Sequence, residues 1–252
     1  MLSSILPSEA FAFLLVTCRM AAIVMLLPAL GEQSVPRRIR VSFGFLLSLV
    51  VYSSVRQSLP EMPAGSVELA ALIGREIALG IMIALMARLI MTAVHTAGTV
   101  LAFQSGLAAA QAFDPNQGTQ SAIISTLMTL MAVTLIMVTN IHHLMIMGMV
   151  NSYYIFPITE SIPFADFAGI AQHYVATSFT LGIMLAAPFI VYSLVYNLGL
   201  GLVARMMPQF QVFFIGMPVN IFLGFALFMV VVSSMMMVFL DHFEQYFLQM
   251  LG

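Results

Sequence analysis

The chain of 252 residues is 62% hydrophobic and only 7% charged, with a net charge of −2 and a mean hydropathy of +1.06. An ordinary soluble domain carries about 25% charged residues and needs polar surface to cover its core, so this composition excludes a freely soluble protein and sets the apolar excess against lipid or other subunits. The small net charge gives no electrostatic basis for nucleic-acid binding.

The elements follow in chain order. The first thirty residues lack a basic start, are interrupted by Arg19, and end in a weak cleavage site at Ala29-Leu30-Gly31, so they are expected to stay as a helix rather than to be removed. Helices are expected near 9–30, 40–59, 67–103, 121–150, 168–203 and 211–247. Gly31 to Arg40 makes the first turn, with Arg37, Arg38 and Arg40 beside the next helix, and Pro60 and Pro63 keep the second turn non-helical. The third break runs from Ser105 to Gln120 around Asp114-Pro115-Asn116, the fourth from Phe156 to Asp166, and the fifth is Met206-Met207-Pro208-Gln209. The charge-free gaps between Asp114 and Glu160, Asp166 and Arg205, and Arg205 and Asp241 each exceed the ~20 apolar residues that span a bilayer. The expected fold is therefore an all-α integral membrane protein, with about six long hydrophobic helices arranged as hairpins in one membrane-embedded domain, 1–252. The arginines of the first connection and Arg205 fall on one side of a six-span count, the cytoplasmic one by the positive-inside rule, while Arg56 falls on the other. With no Trp, interfacial anchoring falls to Tyr and Phe.

Individual residues narrow the reading. An arginine at the bilayer centre costs ~2.5–3.5 kcal/mol, so Arg19 needs a partner. That partner is a carboxylate or carbonyl elsewhere in an assembled complex, or one within the chain, unless the side chain snorkels. Arg75, Glu76 and Arg88 pose the same problem on the third helix, which also pairs Gly74 with Ala78 and Gly80 with Ala84, small residues that let backbones approach closely. His142 and His143 are adjacent and cannot readily share one metal; Cys18 reads as an inert buried thiol. The chain has no lysine, no Walker motif and no Gly-x-Ser-x-Gly elbow. No enzyme activity, metal or cofactor is expected.

Pro28-Ala29-Leu30-Gly31 followed by Val35-Pro36-Arg37-Arg38-Ile39-Arg40 resembles the first-loop signature of the FliR family of flagellar and type III secretion export-gate proteins. The resemblance continues through Gly74-Arg75-Glu76-Ile77-Ala78-Leu79-Gly80, Gly98, Gln104-Ser105-Gly106, Asp114-Pro115, His142-His143 and Ala187-Pro188. Its strongest stretch is Ala204-Arg205-Met206-Met207-Pro208-Gln209 with Val212-Phe213 and Gly216-Met217-Pro218. Asn140-Ile141 before the histidines and Phe210-Gln211 depart from the family pattern.

The resemblance implies an export-gate subunit in the bacterial inner membrane, within the flagellar basal body. It implies FliP-like, FliQ-like and FlhB-like partner subunits, and unfolded flagellar proteins as cargo. Residues 1–150 then correspond to a FliP-like part, and 151–252 include a FliQ-like C-terminal hairpin with Arg205, Pro208 and Gln209 at its cytoplasmic tip. The break from Ser105 to Gly118 reads as a channel plug, with Gly106 and Gly118 turning the chain, Phe113 filling space, and Asp114-Pro115 fixing the turn; the alternative is a peripheral loop packed on a neighbour. A secondary transporter with a broken-helix ion site remains the competing function.

Overall fold

The computed structural model describes residues 2–32, 35–107, 120–158, 164–208 and 211–251. Seven α-helices and one 3-10 turn account for nearly all of them, with no strand among the described residues. The helices are α1 (Leu2–Leu26), α2 (Arg37–Val55), α3 (Ser66–Gln104), α4 (Gln120–Val138), α5 (Ile141–Ile155), α6 (Phe164–Met206) and α7 (Val212–Leu251), with the 3-10 turn at Arg56–Ser58. The all-α expectation holds.

Among the described residues, five helices are long and apolar enough to cross a membrane, or six spans if the broken α4–α5 pair counts as one. The expected helix at 121–150 is broken, because Asn140 sits in the left-handed region with φ 61°. Asparagine tolerates that conformation better than most side chains, and the apolar run on either side hides the break. Three helices are far longer than a bilayer requires. At ~1.5 Å per residue, the 39 residues of α3 extend about 58 Å, against a hydrocarbon core of ~30 Å; α6 has 43 residues and α7 has 40.

The chain divides into two compact units, one of Met1–Leu89, Ile136–Tyr174 and Phe243–Gly252, the other of Ile90–Leu135 and Val175–His242. In the first, α2 lies on α1: Phe45 and Tyr52 meet the ring of Phe13 edge-on, and Gly44 lets the backbones close up beside Ala21. The first half of α3 packs on α1 at Gly80, where a Cβ would come within 2.8 Å of the Arg19 carbonyl and the Ala22 methyl. The core between them holds Leu15, Met20, Ile23, Leu79, Ala84 and Ala87, all fully buried.

In the second unit, the other half of α3 meets α4 where Gly98 faces Ser125. It also meets α6 where Gly182 faces Ala93 and Thr96. Phe189 of α6 and Phe228 of α7 bring their rings to 6.4 Å.

Candidate functional site

Helix ends are the difficulty of an apolar fold. The last four carbonyls of every helix lack partners within it, and hydrocarbon offers no water to satisfy them. In the first unit, arginines do so. Pro28 stops α1, and the turn through Ala29 (φ 66°) to Gly31 folds back beneath it. Gly31 lies so close that a Cβ there would sit 2.6 Å from the Met25 carbonyl oxygen. Arg88 of α3 then donates through Nε to the carbonyl of Leu26 at 2.7 Å, and Arg40 donates to that of Gly31 at 3.0 Å.

The C-terminal end of α5 is held the same way. Arg19 is fully buried, as is Glu76. Its guanidinium grips the carboxylate with two bonds, Nε to Oε2 at 2.7 Å and Nη2 to Oε1 at 2.9 Å. Further N–H groups donate to the carbonyls of Ser152 and Phe156, both at 3.1 Å, while the Tyr153 ring lies 4.1 Å from the guanidinium carbon. Arg75 extends the cap, donating to the carbonyls of Pro157 at 2.8 Å and of Ile158. Arg19 thus takes the intrachain option among those its sequence left open, and Arg75 and Arg88 also have partners inside the chain. Arginine suits the role because its planar fork delivers several donors at once in a fixed geometry.

Near the start of α1, Glu9 accepts hydrogen bonds from Tyr52 and Arg56, fastening the far end of α2. His142 and His143, at the start of α5, lie side by side with ring centres 4.2 Å apart.

In the second unit the end of α3 is capped by a neutral group. Asn220 of α7 reaches the Gln104 carbonyl with its amide nitrogen at 3.5 Å and accepts the Tyr192 hydroxyl at 2.8 Å. One turn along each helix, Tyr196 donates to the Gly216 carbonyl at 2.5 Å. Beyond these tyrosines, α6 and α7 leave an apolar groove of about 610 Å³, lined by Val195, Leu200, Val203, Val212, Ile215 and Val219 among others.

Among the expected site residues, Gly106 follows the end of α3 with φ 76°. Phe113, Asp114, Pro115, Gly118 and Gln209 lie outside the described residues. Arg205 and Pro208 are exposed at the end of α6. Sequence reasoning passed over Ser152, Tyr153 and Phe156 as the surroundings of Arg19, and it passed over Tyr192 and Asn220. A buried carboxylate and a buried arginine on separate apolar helices were a signal for pairing. An asparagine two residues after Pro218 in an otherwise apolar helix was a signal for capping.

Residues 10–246 match bacterial export proteins, family 1. The chain belongs to this family. It is 39% identical over 237 residues to the flagellar biosynthetic protein FliR of Caulobacter vibrioides, covering 94% of both chains. It is 30% identical over 230 residues to FliR of Bacillus subtilis, covering 90% of this chain and 88% of that one. The Yop proteins translocation protein T of Yersinia pestis is 26% identical over 223 residues, with 87% and 85% covered. Membership of the FliR family makes this chain a membrane protein of the flagellar and type III export apparatus, and none of these relatives bears an enzyme's name. The family signature around residues 28–40 has a physical meaning here: it ends α1, turns the chain back beneath it and supplies Arg40 to the Gly31 carbonyl of that turn.

Proposed function

We propose that this chain is a subunit of the flagellar export gate, assembling with FliP-like and FliQ-like subunits, beside an FlhB-like one, into the inner-membrane channel through which unfolded flagellar proteins leave the cytoplasm. Family membership supports the reading. The observation that carries it is the pairing of over-long helices with exposed apolar faces. Leu194, Val195, Leu198 and Leu202 of α6 are each 63–65% exposed on a helix longer than a bilayer can cover, and surface of that kind calls for protein neighbours. Gly74 of α3 and Gly199 and Gly201 of α6 have no atom within 4 Å of where a Cβ would stand, leaving backbone open to a close-packed partner helix.

In this reading residues 1–150 act as the FliP-like part and α6–α7 as the FliQ-like hairpin. Arg19, Arg75, Glu76 and Arg88 serve assembly from within, by fixing the helices that partners grip. The segment from Ser105 to Gly118, with Gly106, Phe113, Asp114, Pro115 and Gly118, plugs the channel.

The test is co-expression. The chain made alone is expected to be unstable or misassembled, and FliP-like and FliQ-like subunits to rescue it as a complex. In that complex, deleting 107–118 is expected to make vesicles leak small ions. A monodisperse monomer obtained without partners would sink the assembly reading, and wild-type conductance in a fully assembled deletion complex would sink the plug. The hairpin tip is expected to face the cytoplasm. A cysteine replacing Gln209, in a Cys18→Ala background, should react with a membrane-impermeant maleimide only in inverted vesicles; labelling confined to right-side-out vesicles would reverse the topology.

A further inference from the structure

The length of α2 is matched to a bilayer, where α3, α6 and α7 exceed it. Its 19 residues rise ~28 Å, close to the ~30 Å of a hydrocarbon core. It buries Gly44, Ser48, Val51 and Val55 and leaves Val41, Phe45, Leu46, Leu49 and Val50 each at least half exposed. An apolar face on a helix of this length fits acyl chains.

The arginines at its start have no work inside the chain. Of the eight arginines, Arg19 and Arg56 pair with Glu76 and Glu9, and Arg40, Arg75 and Arg88 hold carbonyls. Arg37 and Arg38 are exposed and have no hydrogen-bond or ion-pair partner among the described residues. The first turn of α2 carries no acidic residue, and Glu32 in the preceding turn pairs with neither arginine. A helix dipole disfavours positive charge at this end, so two unpaired guanidiniums there call for an anion from outside the chain.

The spacing joins the two features. Arg38, Ser42, Phe45 and Leu49 follow one another at steps of four, three and four, and so share one stripe of the helix. From Arg38 to Leu49 the helix rises ~16 Å, about one leaflet of a core ~30 Å thick.

We propose that the start of α2 is a binding site for an anionic phospholipid, with Arg37 and Arg38 on the headgroup phosphate and an acyl chain along Phe45 and Leu49. Guanidinium suits the headgroup because it meets a phosphate with two parallel N–H donors. The site does not depend on the export reading. It gives α2 a fixed depth in the membrane, set by the charge at its start.

The experiment uses the full chain, purified with the subunits that accompany it, with Ser42→Cys in a Cys18→Ala background and a bimane maleimide on the new thiol. It is reconstituted in phosphatidylcholine vesicles holding increasing fractions of brominated phosphatidylglycerol or, in parallel, brominated phosphatidylcholine. The anionic lipid is expected to halve the emission at about a fivefold lower mole fraction than the zwitterionic one, the scale of one basic residue beside an anionic headgroup. Arg38→Gln is expected to weaken that preference and the combination of Arg37→Gln with Arg38→Gln to abolish it. Arg205→Gln, which removes an exposed arginine elsewhere, is expected to keep it. A reporter at Ser53→Cys, near the other end of α2 where Arg56 already has Glu9, is expected to show none.

A preference at position 42 that depends on Arg37 and Arg38 supports the site. Absence of quenching by either lipid shows that protein covers α2 and overturns it. Equal quenching by both leaves a lipid-facing helix with no headgroup site, and overturns it as well. So does a preference that survives loss of both arginines, that falls as far in Arg205→Gln, or that is as large at position 53.

Discussion

An Arg19→Ala chain is expected to lose ~3–5 kcal/mol of stability, the usual consequence of removing one partner from a buried ion pair. The loss has two parts. Glu76 is left fully buried without its partner, the Phe156 carbonyl loses the Arg19 donor, and the Ser152 carbonyl keeps only the Phe156 backbone N–H. For a membrane domain of ordinary marginal stability that is a large share of the total, so the complex should fall to a small fraction of its normal yield and swimming should be abolished. A combined Arg19→Met and Glu76→Leu chain separates the two parts. It removes both charges and replaces them with apolar side chains of similar reach, so it should recover part of the yield, while the end of α5 keeps only the part of its cap that Arg75 supplies. Thermal midpoints of the purified complex, read for single and double variants, give the ranking. Wild-type yield and midpoint in the Arg19→Ala complex would show that the pair does not hold the first unit together.

Gly98→Leu is expected to be the most damaging single change in the second unit. Even a methyl at this position would sit 2.5 Å from the Cα of Ser125 and 3.0 Å from its backbone nitrogen. Backbone atoms cannot rotate away as a side-chain tip can, so α4 has to move off α3. Overpacking of this kind costs ~1–3 kcal/mol and more when backbone must shift. Gly98→Ala should already lower the midpoint, and Gly98→Leu should prevent recovery of the complex. Gly74→Ala is the contrasting control on the same helix. Nothing lies within 4 Å of its added Cβ, and replacing a helical glycine with alanine gains ~1 kcal/mol in propensity. If Gly98→Leu assembles normally, the α3–α4 contact is not the tight seam described. If Gly74→Ala loses partner subunits while the chain itself persists, the open backbone there is a subunit contact.

The helices were legible because charge-free runs and proline-glycine turns mark them in one dimension. Their extents were mostly right to within a few residues. The break at Asn140 was not legible, since Thr139-Asn140 interrupts neither the apolar average nor the length of the run. The arginines could be identified as needing partners, because the cost of charge in hydrocarbon depends on composition alone. Which partners they take could not: Arg19 and Glu76 are 57 residues apart, and the pairing depends on how α1 and α3 face each other. The capping of α3 by Asn220 was hidden for the same reason, with 116 residues between donor and acceptor. The family resemblance supplied what physics alone did not, the export role, because nothing in an apolar helix states what passes beside it.

The choice of cation at the helix ends has a geometric consequence. The chain contains no lysine, and the groups that close α1 and α5 are Arg88, Arg19 and Arg75. A lysine ammonium is a compact point charge on a flexible stem, whereas a guanidinium is a rigid planar fork. Arg19 uses that fork to hold the Glu76 carboxylate and the carbonyls of Ser152 and Phe156 at once. Three helices are therefore fixed in direction as well as in distance by one side chain, and a lysine at position 19 would tether them without orienting them.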